Sequence, residues 1–245
     1  MNESDPPPSI SNLDFRAGAT LLVDKPKGWT SFDVVNKIRF RLRKITGVKR
    51  IKVGHAGTLD PMATGLLILC TGKFTKQLAN YQGLDKEYTG TFKLGASTPS
   101  YDAETEVDHR YDYKHIAPED IDKARRLYLG DIEQVPPMFS AIKVDGQPLY
   151  KRARKGEFIK IKSRPVHIFD FDITDNQLPD ISFRLHCSKG TYVRSLAHDM
   201  GHSLNSGAYL TELRRTKIGQ YKIEDAWNLE VLIEKLDKTV ERMDA

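Results

Sequence analysis

An aspartate within a segment of small residues is the first feature that could do chemistry. The segment GHAGTLDPMATG (54–65) places Asp60 directly before Pro61, with His55 five positions earlier. Proline disfavours helical geometry in the residue before it, so Asp60 can be a turn residue whose carboxylate holds the local backbone. The glycines around it and the buried strand predicted next also fit a tight loop on a rigid scaffold, which a ligand can approach closely. Spacing alone favours the turn.

Two further patterns test for a cofactor. The stretch Gly72-Lys73-Phe74-Thr75 is similar to the end of a phosphate-binding loop, but Leu67 occupies the position that needs a second glycine. His198 and His202 lie four positions apart on a predicted helix, a spacing that allows both to reach one zinc ion. Asp199 stands where that motif requires glutamate, and no third ligand is evident, so we interpret them as two surface histidines. We predict no metal and no cofactor.

Basic residues are concentrated in two stretches. Eight lie within 37–52 with no acidic residue among them, and eight lie within 143–164 with only two. Acidic residues dominate 101–125 and the stretch from Glu224 onward, so the net charge of +5 is unevenly distributed. Such segregation favours a surface that contacts the phosphates of a polyanion. A solvated helix face plus a basic loop is the alternative.

The composition is that of a globular protein. With 245 residues, of which 39% are hydrophobic and 29% charged, the chain can bury one large core or two small ones. No apolar run approaches the roughly 20 residues that span a bilayer, and the N-terminus lacks a signal-peptide pattern, so we expect a cytoplasmic protein without membrane contact. Cys70 and Cys187 are too few for a disulfide framework.

Apolar periodicity and turn residues predict the elements that must position these side chains. Residues 1–18 are polar and proline-rich and are expected to form a flexible tail, followed by a single domain over 19–245. Within it, 131–164 reads as an inserted, extended arm with few packing partners. Strands and helices interleave without a regular βαβ rhythm, which favours a mixed sheet with helices on its faces. Strands are predicted over 20–23, 51–54, 66–70, 88–94, 181–187 and 209–215, and helices over 31–45, 73–81, 118–129 and 193–204.

Several segments resemble one known family. The segment around Asp60 closely resembles the catalytic signature of the TruB family of tRNA pseudouridine synthases, and the other segments occur in that family's order over roughly 20–225. The resemblance therefore outweighs the turn-only interpretation of Asp60. The segments are LLVDKPKGWTS (21–31), GHAGTLDPMATGLL (54–67), DKEYTG (85–90), EQVPPMFSAIKVDGQPLYKRARKGE (133–157), CSKGTYVRSL (187–196) and LRRT (213–216).

The resemblance implies both a fold and a reaction. The fold is α+β, a mixed, largely antiparallel central sheet with flanking helices and an RNA-binding insertion. The reaction isomerises uridine in place: uracil leaves its ribose carbon, turns and reattaches through carbon, without a cofactor. The resemblance assigns the catalytic carboxylate to Asp60, which either attacks the sugar or base or removes a sugar proton.

The same resemblance supplies the other site residues. Arg194 is expected to pair with Asp60 and keep it ionised, with a solvated helix position as the alternative. Tyr88 is expected to stack on the extruded base, with core packing as the alternative. Tyr192 and Leu213 match residues that line the base pocket, Lys25 shapes the turn beneath the site, His55 helps the splayed RNA loop, and Lys143, Lys151, Arg152, Arg154 and Lys155 contact RNA from the arm.

The family's substrate is the T-loop uridine at position 55 of tRNA, so the T stem-loop is the expected partner. We expect the arm to order on binding, with an affinity that falls as salt rises. Only a short acidic stretch follows LRRT, so the C-terminal PUA domain of many bacterial members is expected to be absent, which disfavours a guide-RNA-dependent relative. We expect a monomer that requires no protein partner.

Two other functions remain open. A non-catalytic RNA-binding module on the same scaffold would keep the basic arm but could dispense with Asp60, Tyr88 and Arg194. A metal hydrolase built on His198 and His202 would contain bound zinc.

Overall fold

The computed structural model describes residues 10–157 and 159–244. Residues 1–9 of the predicted tail and Phe158 of the arm lie outside the described residues. The strands are β1 (Thr20–Lys25), β2 (Val53–Ala56), β3 (Thr64–Thr71), β4 (Lys86–Leu94), β5 (Ala96–Ser97), β6 (His109–Arg110), β7 (Gly130–Gln134), β8 (Lys143–Val144), β9 (Gln147–Pro148), β10 (Arg164–Gln177), β11 (Asp180–Cys187), β12 (Ala208–Ile218), β13 (Tyr221–Lys222) and β14 (Trp227–Asn228). The helices are α1 (Ser31–Thr46), α2 (Leu78–Gly83), α3 (Pro118–Arg126), α4 (Leu149–Ala153), α5 (Val193–Ser203) and α6 (Leu229–Asp244), with short 3₁₀ helices at Ile10–Asn12, Gly72–Gln77 and Ile223–Asp225.

The chain divides into two compact units where the sequence predicted one domain. The first unit comprises the residues up to 86 and from 214 onward, and the second comprises 87–213. One boundary falls at the start of β4 and the other within β12. Because both boundaries lie in strands, no proline- or glycine-rich linker marks them in the sequence.

The first unit is organised around β3. Its strand order is β14–β1–β3–β12, with β2 also paired to β3 and β13 to β12. Leu67 and Leu69 pack into a core cluster with α1 and α6, whereas Leu66 and Ile68 pack into a second cluster on the other face. A strand buried on both faces reads as a continuous apolar run, which is why 66–70 predicted it. α1 begins as predicted, with a capping box between Thr30 and Asp33.

The second unit carries the strand order β12–β4–β11–β10–β7, in which β10 is antiparallel to both β11 and β7. The Phe183 ring contacts the rings of Phe92 and Phe171 at centroid distances of 5.9 Å each.

The strand pairs of the first unit are of both kinds. The pairs β1 with β14 and β12 with β3 are parallel. The pairs β1 with β3, β2 with β3 and β12 with β13 are antiparallel. The predicted α+β fold, a mixed and largely antiparallel sheet with flanking helices, is confirmed.

Two local predictions are wrong, and two elements were not predicted. Ile10 and Phe15 are buried in the core of the first unit, so these two residues pack where a flexible tail was expected. The helix over 73–81 is a 3₁₀ helix followed by the short α2, because Gly72 has a φ of 51° and the Thr75 hydroxyl bonds back to the Gly72 carbonyl. β10 and α6 were not predicted, although Leu229, Leu232 and Leu236 of α6 are buried.

The arm at 131–164 is more ordered than the predicted extended segment. Its two ends pair in register through β7 and β10, with Gln134 opposite Arg164. Between them, β8 and β9 form a hairpin whose turn, Asp145-Gly146, has positive φ at both residues, as a type I′ turn requires. Leu149 of α4 is fully buried. The Pro and Gly residues therefore mark turns of a folded segment.

Candidate active site

Asp60 lies on a loop between β2 and β3 that is fixed on both sides of the aspartate. The buried Ser31 hydroxyl accepts a hydrogen bond from the Leu59 amide at 2.9 Å and donates one to the Leu59 carbonyl at 3.2 Å. The Pro61 carbonyl accepts a hydrogen bond from the Gly28 amide at 2.8 Å. Asp60 itself is half-buried. The scaffold thus holds the carboxylate's backbone while leaving part of its side chain accessible.

Lys25 ties the preceding turn to this loop. Its buried ammonium donates to the carbonyls of Trp29 at 2.6 Å, Pro26 at 3.0 Å and Pro61 at 3.4 Å. Gly28 has a φ of 83°, which a β-carbon would disfavour at this turn. Lys25 therefore joins the turn at 26–29 to the Asp60 loop through these carbonyls.

Arg215 is a buried cation at this loop that the sequence analysis did not single out. Its Nε donates to the Leu66 carbonyl at 2.8 Å and its Nη2 to the Gly57 carbonyl at 2.9 Å, so it bridges the two sides of the Asp60 loop. A β-carbon on Gly65 would come within 2.3 Å of the Arg215 carbonyl. The sequence offered one signal for this contact, the small residues Gly57 and Gly65 that leave room for an arginine of LRRT. It offered no acidic partner, because Arg215 bonds to backbone carbonyls.

We expect Arg215→Met to lower the free energy of unfolding by roughly 2–4 kcal/mol, because the buried Leu66 carbonyl and the partly buried Gly57 carbonyl lose their donor. Urea unfolding monitored by circular dichroism measures the difference. Arg214→Met is the matched control: that half-exposed guanidinium pairs with Asp24 at 2.7 Å, and its loss should cost about 1 kcal/mol or less. Equal losses in the two variants would contradict the bridging role.

His55 is a neutral ring beside Arg215. Burial, and secondarily the positive charge of Arg215, lower its pKa below the usual 6.5. Its Nδ1 is one of the buried side-chain atoms that has no hydrogen-bond partner within 10–157 and 159–244. A neutral, half-buried imidazole suits stacking or hydrogen bonding with a nucleotide better than an ionic contact with phosphate.

Tyr88, Tyr192 and Leu213 belong to the second unit. Tyr88 on β4 and Leu213 on β12 are almost fully buried. Tyr192 is the N-cap residue of α5, and the buried Gln134 side chain holds its backbone on both sides, accepting from its amide at 2.7 Å and donating to its carbonyl at 3.1 Å. The position of Tyr192 is therefore set by β7, at the base of the arm.

Arg194 is buried on α5, which excludes the solvated-helix alternative. Its Nη1 donates to the Ser100 carbonyl at 3.0 Å and its Nη2 to the Phe139 carbonyl at 2.9 Å. Asp102 forms an ion pair with it at 3.4 Å and accepts a 2.5 Å hydrogen bond from the Ser100 hydroxyl. The sequence analysis missed Asp102, because it counted the acids of 101–125 as a surface group. Asp102 is fully buried.

The two histidines of α5 contact each other and the Tyr101 ring. The Nε2 atoms of His198 and His202 lie 3.1 Å apart, and the Tyr101 ring stacks on His198. In the part of the chain that is described, no group of three His, Cys, Asp or Glu residues could hold a metal ion. His202 is exposed, as predicted, whereas His198 is half-buried with its pKa lowered to about 4, chiefly by burial.

Asp199 makes the free energy of unfolding depend on pH. Burial raises its pKa from 3.8 to about 6, so the folded state keeps its proton longer and loses stability as pH rises between these values. We expect Asp199→Asn to be near the parent in free energy of unfolding at pH 4 and more stable by roughly 1–2 kcal/mol at pH 7. Urea titrations across this range measure the difference, with the exposed Asp225→Asn as control. A constant difference would contradict the prediction.

The basic side chains of the arm are largely available. Lys143, Lys151 and Lys155 are exposed, and the exposed Arg154 guanidinium lies over the Tyr150 ring. Arg152 differs from them, because it is partly buried and pairs with Asp145 at 3.4 Å and Glu157 at 3.9 Å. It therefore supports the arm's own structure as well as contributing charge.

The first basic stretch, 37–52, lies on α1 and the segment that follows it. Arg39 donates to the Val53 carbonyl and Arg41 pairs with Asp237 of α6, each at 2.7 Å. The remaining cations are exposed: Lys37, Arg43, Lys44, Lys49, Arg50 and Lys52.

Among the described residues, no helix is both long and apolar enough to cross a membrane.

Comparison with known proteins defines the class. Residues 43–193 match the family model described as TruB family pseudouridylate synthase (N terminal domain), and residues 194–244 match that of the tRNA pseudouridylate synthase B C-terminal domain. The class is that of the pseudouridylate synthases, which are isomerases. Because the first match alone spans more than half of the chain, the chain belongs to the TruB family of these enzymes.

Curated relatives match the sequence of this chain over nearly their whole length. The tRNA pseudouridine synthase B of Flavobacterium johnsoniae is 53% identical over 224 residues, which cover 91% of this chain and 98% of that protein. That of Chloroherpeton thalassium is 54% identical over 225 residues, covering 91% of this chain and 92% of that protein.

Solved structures share the fold. A crystal structure of a Cbf5-Nop10-Gar1 complex matches with a TM-score of 0.67 at 28% identity, over 90% of this chain and 54% of that one. An H/ACA RNP bound to a substrate RNA containing 2'-deoxyuridine matches with a TM-score of 0.64 at 26% identity, over 90% of this chain and 53% of that one. This chain thus spans about half the length of the chains it matches in these structures.

Proposed function

We propose that the protein converts uridine to pseudouridine in the T loop of tRNA, at position 55, with Asp60 as the catalytic carboxylate acting on a flipped-out base. Membership of the TruB family and the names of the curated relatives support tRNA as the substrate. The observation that carries the proposal is the half-buried Asp60 on a loop fixed by Ser31, Lys25 and Arg215. A carboxylate held in this way can act on one atom of a bound nucleoside.

The roles of the other residues extend this proposal. Tyr88 stacks on the extruded base, Tyr192 and Leu213 line its pocket, and Arg194 keeps the Asp60 carboxylate ionised. Asp60 belongs to the first unit and these residues to the second, so the pairing of Asp60 with Arg194 stays a prediction. The near-complete burial of Tyr88 and Leu213 fits a pocket that excludes water from the base.

The arm and α1 supply the charge for binding RNA. We propose that Lys143, Lys151, Arg154 and Lys155 contact phosphates of the T stem-loop, with Arg152 holding the arm between Asp145 and Glu157. His55 contributes a neutral ring to the splayed loop. Binding should therefore weaken steeply as salt rises. Action in the cytoplasm as a monomer without a protein partner completes the proposal.

The test uses an unmodified tRNA transcript labelled with tritium at C5 of uracil. Isomerisation replaces the C5–H bond with a bond to the ribose carbon, so conversion releases the label. We expect release equal to one uridine per tRNA, mapped to position 55, and none from a transcript with cytidine at that position. Release from other uridines, or none, would overturn the proposed site. Size-exclusion chromatography before the assay reports the oligomeric state.

A further inference from the structure

Tyr101 has a backbone conformation that its residue type disfavours. It is one of three non-glycine residues with positive φ in the described part of the chain, at 63°. The other two, Asp145 and Asn205, are of the types that tolerate this region, because their short polar side chains can bond locally. A tyrosine there costs on the order of 1 kcal/mol, so the surrounding structure must hold it in place.

The conformation of Tyr101 decides what its neighbours present to Arg194. Ser100, before it, offers the carbonyl that accepts from Arg194 Nη1 at 3.0 Å. Asp102, after it, offers the carboxylate that pairs with the same guanidinium at 3.4 Å. A relaxed backbone at Tyr101 would turn one of these two oxygens away from Arg194.

Two kinds of contact hold Tyr101. Its backbone is tied by the Tyr101 amide to the Thr98 carbonyl at 3.1 Å and by the Leu210 amide to the Tyr101 carbonyl at 3.0 Å. Its ring stacks on His198 with centroids 3.8 Å apart and an interplanar angle of 13°. His198 lies one helical turn after Arg194 on α5, so the same helix face holds both the guanidinium and the ring that fixes its partners.

We propose that the stack of Tyr101 on His198 positions Arg194, by holding residues 100–102 in the strained conformation that presents two oxygens to its guanidinium. His198 is therefore a positioning residue and does not touch the substrate. The low pKa of His198, about 4, fits this role because a neutral ring stacks without carrying charge at neutral pH. The inference rests on the proposed function only in that Arg194 serves the isomerisation.

The kinetic test compares three variants in single turnover with excess enzyme and the tritiated transcript. We expect His198→Ala to lower the rate about five-fold, within the range that an aromatic pair supplies, with unchanged tRNA affinity. His198→Phe should restore most of the rate, since its ring can stack on Tyr101. His202→Ala is the matched control, because it removes the other imidazole that contacts His198 and leaves the stack of His198 on Tyr101 in place, and it should match the parent. A parental rate in His198→Ala, or no rescue by phenylalanine, would overturn the proposal.

A second readout is independent of activity. We expect His198→Ala to increase hydrogen exchange at the Leu210 amide, which bonds to the Tyr101 carbonyl, relative to the parent and to His202→Ala. If the alanine variant does not fold, His198→Gln removes the ring and carries the same test. Unchanged exchange would overturn the positioning role even if the parent converts tRNA. A parent that leaves position 55 unmodified, while exchange responds as expected, would refute the proposed function and not the stack.

Discussion

Asp60→Asn should abolish pseudouridine formation, with a loss of at least about a thousand-fold in the single-turnover rate. The amide has the size of the carboxylate but can neither attack carbon nor accept a proton as a base. The Asp60 loop is fixed through the Ser31 hydroxyl, Lys25 and Arg215, all of which bond to carbonyls or amides of its backbone. The variant should therefore fold and bind tRNA like the parent.

The measurement follows tritium release and maps position 55 in the same reaction. Filter binding and urea unfolding on the same preparation establish that the variant binds RNA and is folded. The matched control is Asp24→Asn, which removes a carboxylate that pairs with Arg214 in the first unit outside the Asp60 loop, and it should keep most of the rate. A rate in Asp60→Asn within ten-fold of the parent would show that this carboxylate is not the catalytic group.

The sequence predicted those elements whose burial pattern is simple. β3 is buried on both faces, and its sequence contains the continuous apolar run LLILC. α1 is indicated by the capping residues Thr30 and Asp33 and by apolar residues at helical spacing. β10 was missed because much of it is solvated and two register shifts interrupt its pairing with β11. The loop around Asp60 was singled out by its small residues, but spacing alone favoured a turn, and only the resemblance to the TruB family implied a catalytic role for Asp60.

The supporting residues could not be predicted for a physical reason. Arg215 bonds to the carbonyls of Gly57 and Leu66, and such acceptors exist at every position of the chain. Asp102 is 92 positions from its partner Arg194, and only folding separates this one buried acid from the exposed acids around it. The chemical groups of a site can therefore be found by residue type, whereas the residues that hold them depend on backbone geometry that the sequence does not display.

The two buried arginines, Arg194 and Arg215, share one structural feature. Each one joins segments that are distant in sequence: Arg215 bridges the two sides of the Asp60 loop, and Arg194 joins residues 100–102 to Phe139 of the arm. Arg194 therefore connects the interior of the second unit to the segment proposed to bind RNA.

Arg194→Lys should lose most of the turnover, about a hundred-fold or more in the single-turnover rate, with a much smaller change in tRNA affinity. The guanidinium uses two separate nitrogens for the Ser100 and Phe139 carbonyls while facing Asp102. A lysine keeps the charge but has one nitrogen, so it cannot hold these partners in the same geometry. The lysine variant would therefore carry the positive charge without the orientation that the guanidinium takes from these partners.

The control is the same substitution at Arg184, a partly exposed arginine of β11 whose partners Glu87, Asp170 and Asp172 form a screened ion-pair cluster. Arg184→Lys should stay within about two-fold of the parent rate, because such pairs contribute little. Tritium release at saturating enzyme compares both variants with the parent, and urea unfolding reports their stability. If Arg194→Lys converts tRNA as fast as Arg184→Lys, then positive charge is all that the reaction needs there, and the fork geometry of the guanidinium has no part in it.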